Sequence, residues 1–256
     1  MAPLKHPIID LGHWLEQPAG SYIREWEQAL FDTMTADIFG FNAIQIGLPQ
    51  INALAASRMP NRWLTNTRVL AATSGGQDMP VALIHDFYEL PFASNSIDLV
   101  VLPHVLEFAR EPHQILREVE RVLIPEGRVI ICGFNRASLW GLRQAAGRLT
   151  GGYFLPCEGE FIGVPRLKDW LKLLNLEVGR SDFGCYAPPF TTDKSLRRCA
   201  LMEKAGQRWW PYLGAVYMLQ AVKRIKGMHL IGPAWKPQSV ANGHAVPVAN
   251  RVNKHG

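Results

Sequence analysis

IHDFYELPFASNSIDLVVLPHVLEFAREPHQILREVERVLIPEGRVIICGFN, residues 84–135, contains a strand, a helix and a second strand behind one isolated acid, Asp86. The apolar run from Ile97 to Leu102 reads as a buried strand, and Arg128 to Phe134 as another; both are rich in Val and Ile and bounded by turn residues. Between them Ile115, Leu116, Val119, Val122 and Leu123 recur at helical spacing, and Pro125, Glu126 and Gly127 stop the helix before the next strand. Strand, helix, strand with short turns predicts a right-handed parallel crossover. In such sheets ligands bind outside the carboxyl ends of the strands, so function is expected just after Leu102.

Working outward, Tyr22, Ile23, Trp26, Ala29, Leu30, Thr33, Met34 and Ile38 form a stripe of helical period ending near Gly40. Phe41 to Gly47 reads as the first strand, Ile51 to Ser57 as the start of its helix, Val69 to Ala72 as a second strand and Val81 to His85 as a third. Downstream, Ser138 to Arg148 is a helix leading into the Gly151, Gly152, Tyr153, Phe154 turn, and 138–165 is expected to act as a lid. Leu167 to Leu174 is a helix, Leu176 to Phe183 a strand, Ser195 to Arg208 a helix and Gly214 to Lys226 the last strand. Residues 229–256 hold three prolines, no acid and little periodicity, which predicts a disordered basic tail after a domain spanning 1–228.

The chain has 256 residues, 48% of them hydrophobic and 19% charged, enough to bury a full core. No apolar run reaches the roughly 20 residues of a membrane span, and the amino-terminal residues carry charges rather than a signal core, so a cytoplasmic location is expected. The four cysteines, Cys132, Cys157, Cys185 and Cys199, lack metal-like spacing; neither a disulfide nor a metal is expected, and Cys132 reads as a small core residue. Charge is uneven. Residues 1–193 hold 16 Lys and Arg against 21 Asp and Glu, whereas 194–256 hold 11 against the single Glu203. A basic end of this kind is either a solvated face or an attraction to nucleic acid or an anionic membrane surface, and Trp209, Trp210 and Tyr212 beside Arg208 suit the second reading.

The order of Asp86, then Leu90-Pro91-Phe92, Asp98 opening a Val-rich strand, Val105-Leu106-Glu107 and a Pro-x-Gly turn resembles the central part of class I S-adenosylmethionine-dependent methyltransferases, in particular the type 11 group. About fifty residues carry the resemblance closely, and a looser likeness runs from Trp14 to Lys226. It implies an α/β, Rossmann-like, seven-stranded, mostly parallel sheet with helices on both faces and an antiparallel edge hairpin, the segment 1–40 serving as a helical cover. It also implies S-adenosyl-L-methionine as cofactor and in-line methyl transfer to a small-molecule or lipid-like acceptor.

By the same resemblance Asp86 accepts a hydrogen bond from the adenine amino group, with Phe87 against the ring; the other reading of Asp86 is a turn cap through its own backbone. Leu102 and Pro103 bring backbone carbonyls near the donor. His104 is the candidate general base, unless it merely starts the short helix after the strand. Asp98 is expected to be structural; Glu107 is either a pocket-rim group or, as is the rule, an ordinary surface carboxylate, and Trp140, Tyr153 and Phe154 either line an acceptor pocket or simply pack.

The loop after the first strand departs from the family. Where an acid and a run of alternate glycines are expected, this chain has Gln45, Gly47, Pro49 and Ile51. Gln45 can hydrogen-bond but carries no charge for the cofactor's ammonium group. The acid expected at the end of the second strand is likewise missing from Ala71, Ala72, Thr73 and Ser74. Two further readings follow, a catalytically degenerate interaction module on the same fold and a nucleic-acid methyltransferase that uses its basic end.

Overall fold

The computed structural model describes residues 7–67, 81–150, 155, 159–189 and 199–224. Two helices, α1 (Pro7–Trp14) and α2 (Pro18–Ala36), precede the first strand, β1 (Asn42–Ile46). Then follow β2 (Asn61–Asn66), β3 (Val81–Ile84), β4 (Ile97–Pro103), α3 (Pro112–Val122), β5 (Leu123–Phe134), α4 (Leu139–Thr150), α5 (Val164–Leu173), β6 (Leu176–Gly184), α6 (Ala200–Trp209) and β7 (Val216–Lys223). The seven strands form one sheet in the order β3-β2-β1-β4-β5-β7-β6. Strands β1 to β5 pair in parallel, and β7 runs antiparallel to both β5 and β6. This is the mixed, Rossmann-like sheet that the sequence predicts.

The period of two along each strand sorts side chains onto two cores. Ala43, Leu99, Val101, Ile130, Cys132, Phe134, Val216 and Met218 face a cluster built with α1 and α2. Ile44, Ile46, Val100, Leu102, Val129, Ile131, Tyr217 and Leu219 face the opposite cluster, built with α3 and α5. Strands covered on both faces show continuous apolar runs, which is why β4 and β5 were legible. Helix α3 opens on Pro112 and buries Ile115, Leu116, Val119 and Val122, each contributing roughly 1.5–3 kcal/mol.

Two expectations need correction. No helix begins at Ile51; residues 51–60 run in turns and bends straight into β2. The upstream helix α2 covers the sheet there, and its Gln28 holds both backbone groups of Asn52, donating to the carbonyl at 2.9 Å and accepting from the amide at 3.2 Å. The expected second strand at 69–72 lies outside the described residues, and the strand beside β1 is Asn61–Asn66, in register Asn42 with Asn61 through Ile46 with Thr65. Its run NRWLTN is exposed at the start and polar at both ends, so periodicity alone does not mark it.

Asp98 ties β4 to the start of β1 by accepting from the backbone of Phe41 at 3.1 Å and Asn42 at 2.9 Å. The Leu90-Pro91-Phe92 turn is held by α3. Glu118 accepts from the Leu90 amide at 3.1 Å, and Arg121 donates to the carbonyls of Leu90 at 3.0 Å and Phe92 at 2.9 Å. The turn therefore has a structural reason for its place before β4. The tail at 229–256, together with Tyr153 and Phe154, lies outside the described residues.

Candidate functional site

The carboxyl ends of β1, β2, β3 and β4 bring Gly47, Asn66, Asp86 and His104 to one edge of the sheet. Gly47 stands at φ +74° just past β1, and its amide donates to the Thr65 carbonyl at 2.7 Å. A Cβ there would lie 3.3 Å from Val105 Cγ2 and 3.4 Å from Phe87 Cζ, so glycine is needed both for the turn and for the close approach of Phe87. Phe87 is buried against this loop.

Asp86 is exposed beyond the end of β3, and its carboxylate accepts the Tyr88 amide at 3.2 Å. That bond is a turn cap, and the carboxylate remains at the surface of the strand end. Asn66 is one of two site residues that the sequence does not mark, because β2 is polar at its end. It is 4% exposed at the end of β2, where its side-chain oxygen accepts from the Thr67 amide at 2.9 Å.

Gln45 is fully buried and serves its own loop. Its amide nitrogen donates to the carbonyls of Gly47 at 3.2 Å, Leu48 at 3.1 Å and Ile51 at 2.7 Å, and its oxygen accepts from the Ala53 amide at 2.9 Å. The side chain thereby fixes the curvature of this loop and satisfies its buried carbonyls. Ile51 and Leu48 join the core under α1 and α2, on the same face as Gln45. Leu102 packs in the opposite core, and Pro103 ends β4 opposite Cys132.

His104 follows at φ +53° and is 1% exposed. Its Nε2 lies 2.7 Å from Glu27 Oε1, its Nδ1 lies 2.9 Å from Glu107 Oε2, and its ring sits 4.4 Å from that of Phe134. Burial alone would push the imidazole's pKa down, but the carboxylates of Glu27 and Glu107 hold it well above its ordinary value. A ring engaged at both nitrogens has no free lone pair to take a substrate proton.

Glu107 is not at a rim. It is 3% exposed, and its second oxygen accepts the Phe134 amide; burial pushes its carboxyl upward, partly relieved by His104. Cys132 donates to Glu27 Oε1 at 3.2 Å, and burial followed by the Glu27 charge pushes its thiol upward. Glu27 was missed although a signal existed. It interrupts the buried line Ile23, Phe31, Met34 of α2 four residues after Ile23. Trp140 is buried against Trp14, with ring centroids 6.2 Å apart, and donates to the Ala187 carbonyl at 2.7 Å.

Beyond β5, an open groove of about 390 Å³ lies along α4 and is lined by Arg136, Leu139, Leu142, Ala145 and Leu213. Leu139 and Leu142 are exposed on its wall. Among the described residues, no helix is long and apolar enough to cross a membrane.

Residues 64–131 match the family described as a methyltransferase domain, the type 11 group. The match starts inside β2 and so omits the Gln45 loop. The architecture agrees. An S-adenosylmethionine-dependent methyltransferase of Archaeoglobus fulgidus superposes with TM-score 0.55 at 14% identity, covering 78% of this chain and 94% of that one. One from Thermotoga maritima gives TM-score 0.57 at 13% identity, with 79% and 92% covered. The 4+2 cyclase SpnF gives TM-score 0.52 at 18% identity, with 77% and 80% covered. The fold is thus that of the class I methyltransferases, and residues 64–131 match the type 11 methyltransferase domain. Within that class it belongs to the family of the uncharacterized protein YafS of Escherichia coli strain K12, to which it is 34% identical over 184 residues, 70% of this chain and 71% of YafS.

Proposed function

We propose that the protein is an S-adenosylmethionine-dependent methyltransferase acting on a small-molecule or lipid-like acceptor. The observation that carries this reading is the grouping of Gly47, Asn66 and Asp86 on adjacent strand ends within the methyltransferase sheet. These residues fit the nucleoside half of the cofactor. The exposed Asp86 carboxylate can accept from the adenine amino group, Phe87 forms an apolar wall beside it, and the Asn66 amide can donate to a ribose hydroxyl. The fit is poorer at the methionine half, because Gln45 is committed to its own loop and no helix starts after β1. Backbone at Gly47 and past Pro103 is what remains for that end.

When bound, the cofactor supplies an already activated methyl group, so the protein's task is to orient the acceptor and exclude water. Near-attack positioning of this sort is worth about 7–11 kcal/mol of the barrier. His104 is assigned a positioning role, fastening β4 to α2 through Glu27, in place of a general base. The groove beside α4, apolar along Leu139 and Leu142 with Arg136 at its edge, suits an acceptor with a hydrocarbon part and an anionic group.

The second reading, an interaction module that retains the fold, is favoured by the Gln45 loop and by the missing crossover helix. SpnF supports keeping it open, since the likeness of the two folds does not fix the chemistry. A nucleic-acid or anionic-membrane role for the basic end, and a cytoplasmic location, are compatible with both. Isothermal titration with S-adenosylmethionine separates them. The methyltransferase reading expects saturable binding that Asp86→Ala weakens at least tenfold without loss of folding. No heat of binding at millimolar cofactor leaves only the module.

A further inference from the structure

We propose that Glu27, His104 and Cys132 form a site for one divalent transition-metal ion, of which zinc is the best match. The three come from α2, the end of β4 and β5, so nothing in their spacing announces a motif. Folding places one ligand atom of each within 4.8 Å of the others, with all three residues buried. A carboxylate, an imidazole and a thiol together are a donor set characteristic of zinc. Their separations are 2.7 Å for Glu27 Oε1 to His104 Nε2, 3.2 Å for Glu27 Oε1 to Cys132 Sγ and 4.0 Å for Cys132 Sγ to His104 Nε2. These bracket the edge of about 3.4 Å expected between ligands of a tetrahedral ion with bonds of about 2.0–2.3 Å. Small side-chain movements are enough to admit the ion.

Two independent features point to a cation. Glu27 Oε2 is buried without a hydrogen-bond partner, whereas buried polar atoms are nearly always paired. A metal bound by both oxygens of Glu27, the His104 ring and the Cys132 sulfur would satisfy it and complete four donor atoms. The surroundings are also those of a metal-bound histidine. His104 Nδ1 is held by Glu107 at 2.9 Å, and Glu107 is fixed in turn by the Phe134 amide, the carboxylate-to-histidine arrangement that orients ligand rings. Glu27 and Glu107 have His104 as their sole cationic partner among the described residues. Binding places a dication between the carboxylate of Glu27 and the thiolate of Cys132, releases the thiol proton and the proton between His104 and Glu27 to solvent, and changes no oxidation state.

The site is closed by Phe134, with Phe161 stacked on it at 5.3 Å, and so has the character of a structural clamp between α2 and the β4–β5 edge. The test uses the full chain and no cofactor, so it stands apart from the methyltransferase reading. Protein stripped with a chelator is titrated with Co²⁺. One equivalent is expected to produce near-ultraviolet thiolate-to-cobalt absorption with visible bands of tetrahedral intensity. Cys132→Ser is expected to abolish the near-ultraviolet absorption, and zinc to raise the thermal midpoint of the unmutated chain above that of the stripped form. If Cys132→Ser does not fold, the unmutated chain's cobalt spectrum and zinc-dependent midpoint decide. The absence of both, or a charge-transfer band undiminished in folded Cys132→Ser, overturns the proposal.

Discussion

Replacing Gln45 by glutamate probes the loop after β1 in the most informative way, because it restores the acid that relatives of this fold are expected to carry. If Gln45 faced the cofactor, Gln45→Glu would supply a charge for the ammonium group and tighten binding. In the geometry found, the amide nitrogen instead donates to three buried carbonyls, and the side chain is fully buried. A carboxylate removes that donor and turns an oxygen toward Gly47, Leu48 and Ile51. Each buried group left unsatisfied costs about 1–3 kcal/mol; with two N–H donors shared among three acceptors, the loss is about 3–5 kcal/mol. For a domain of this size that lowers the thermal midpoint by roughly 10 °C.

The sign of the pH dependence follows. A buried carboxyl among carbonyls has its folded pKa raised, because only the protonated form can donate. Its deficit is therefore smallest below the unfolded value of about 4.3 and grows as pH rises above it. Urea unfolding of both proteins at pH 4 and pH 7, with cofactor titration alongside, measures this. An unchanged midpoint at pH 7, or a cofactor affinity improved by Gln45→Glu, would refute the loop assignment.

Other expectations are simpler to check. Gly47→Ala forces a side chain into a φ of +74° beside Val105 and Phe87 and should cost about 1–2 kcal/mol in chemical denaturation. The Arg121 hydrogen bond, with the Leu90 amide adding to it, holds the Glu118 carboxyl below its ordinary value. Its contribution, about 1 kcal/mol or less given the exposure of the pair, is present above the unfolded pKa and lost as pH falls through the folded one. Glu118→Gln should therefore flatten the acid limb of the stability profile and leave the limb above neutrality unchanged.

The parts legible in the sequence are those where one physical requirement dominates. Strands β4 and β5 had to be apolar on both faces, and α3 had to present Ile115, Leu116, Val119 and Val122 to one side, so periodicity was sufficient. Strand β2 was missed because its buried half, Leu64 to Asn66, is short and polar at its end. Asn66 was lost with it. The crossover after β1 was expected to be a helix because Ile51, Ala53 and Leu54 are apolar, but these residues fill the core under α2 from turns. Residues paired across long separations left almost no local trace. Glu27 and His104 are 77 positions apart, and Cys132 reads as one more small core residue until α2 brings a carboxylate to it.

A crystal structure of the chain soaked with S-adenosylmethionine shows whether the carboxyl edge of β1, β2 and β3 receives the cofactor's nucleoside, as proposed. The adenine amino group is expected within about 3.2 Å of the Asp86 carboxylate, with a ribose hydroxyl at the Asn66 amide. Adenine bound away from Asp86, or no bound cofactor at saturating concentration, would contradict it.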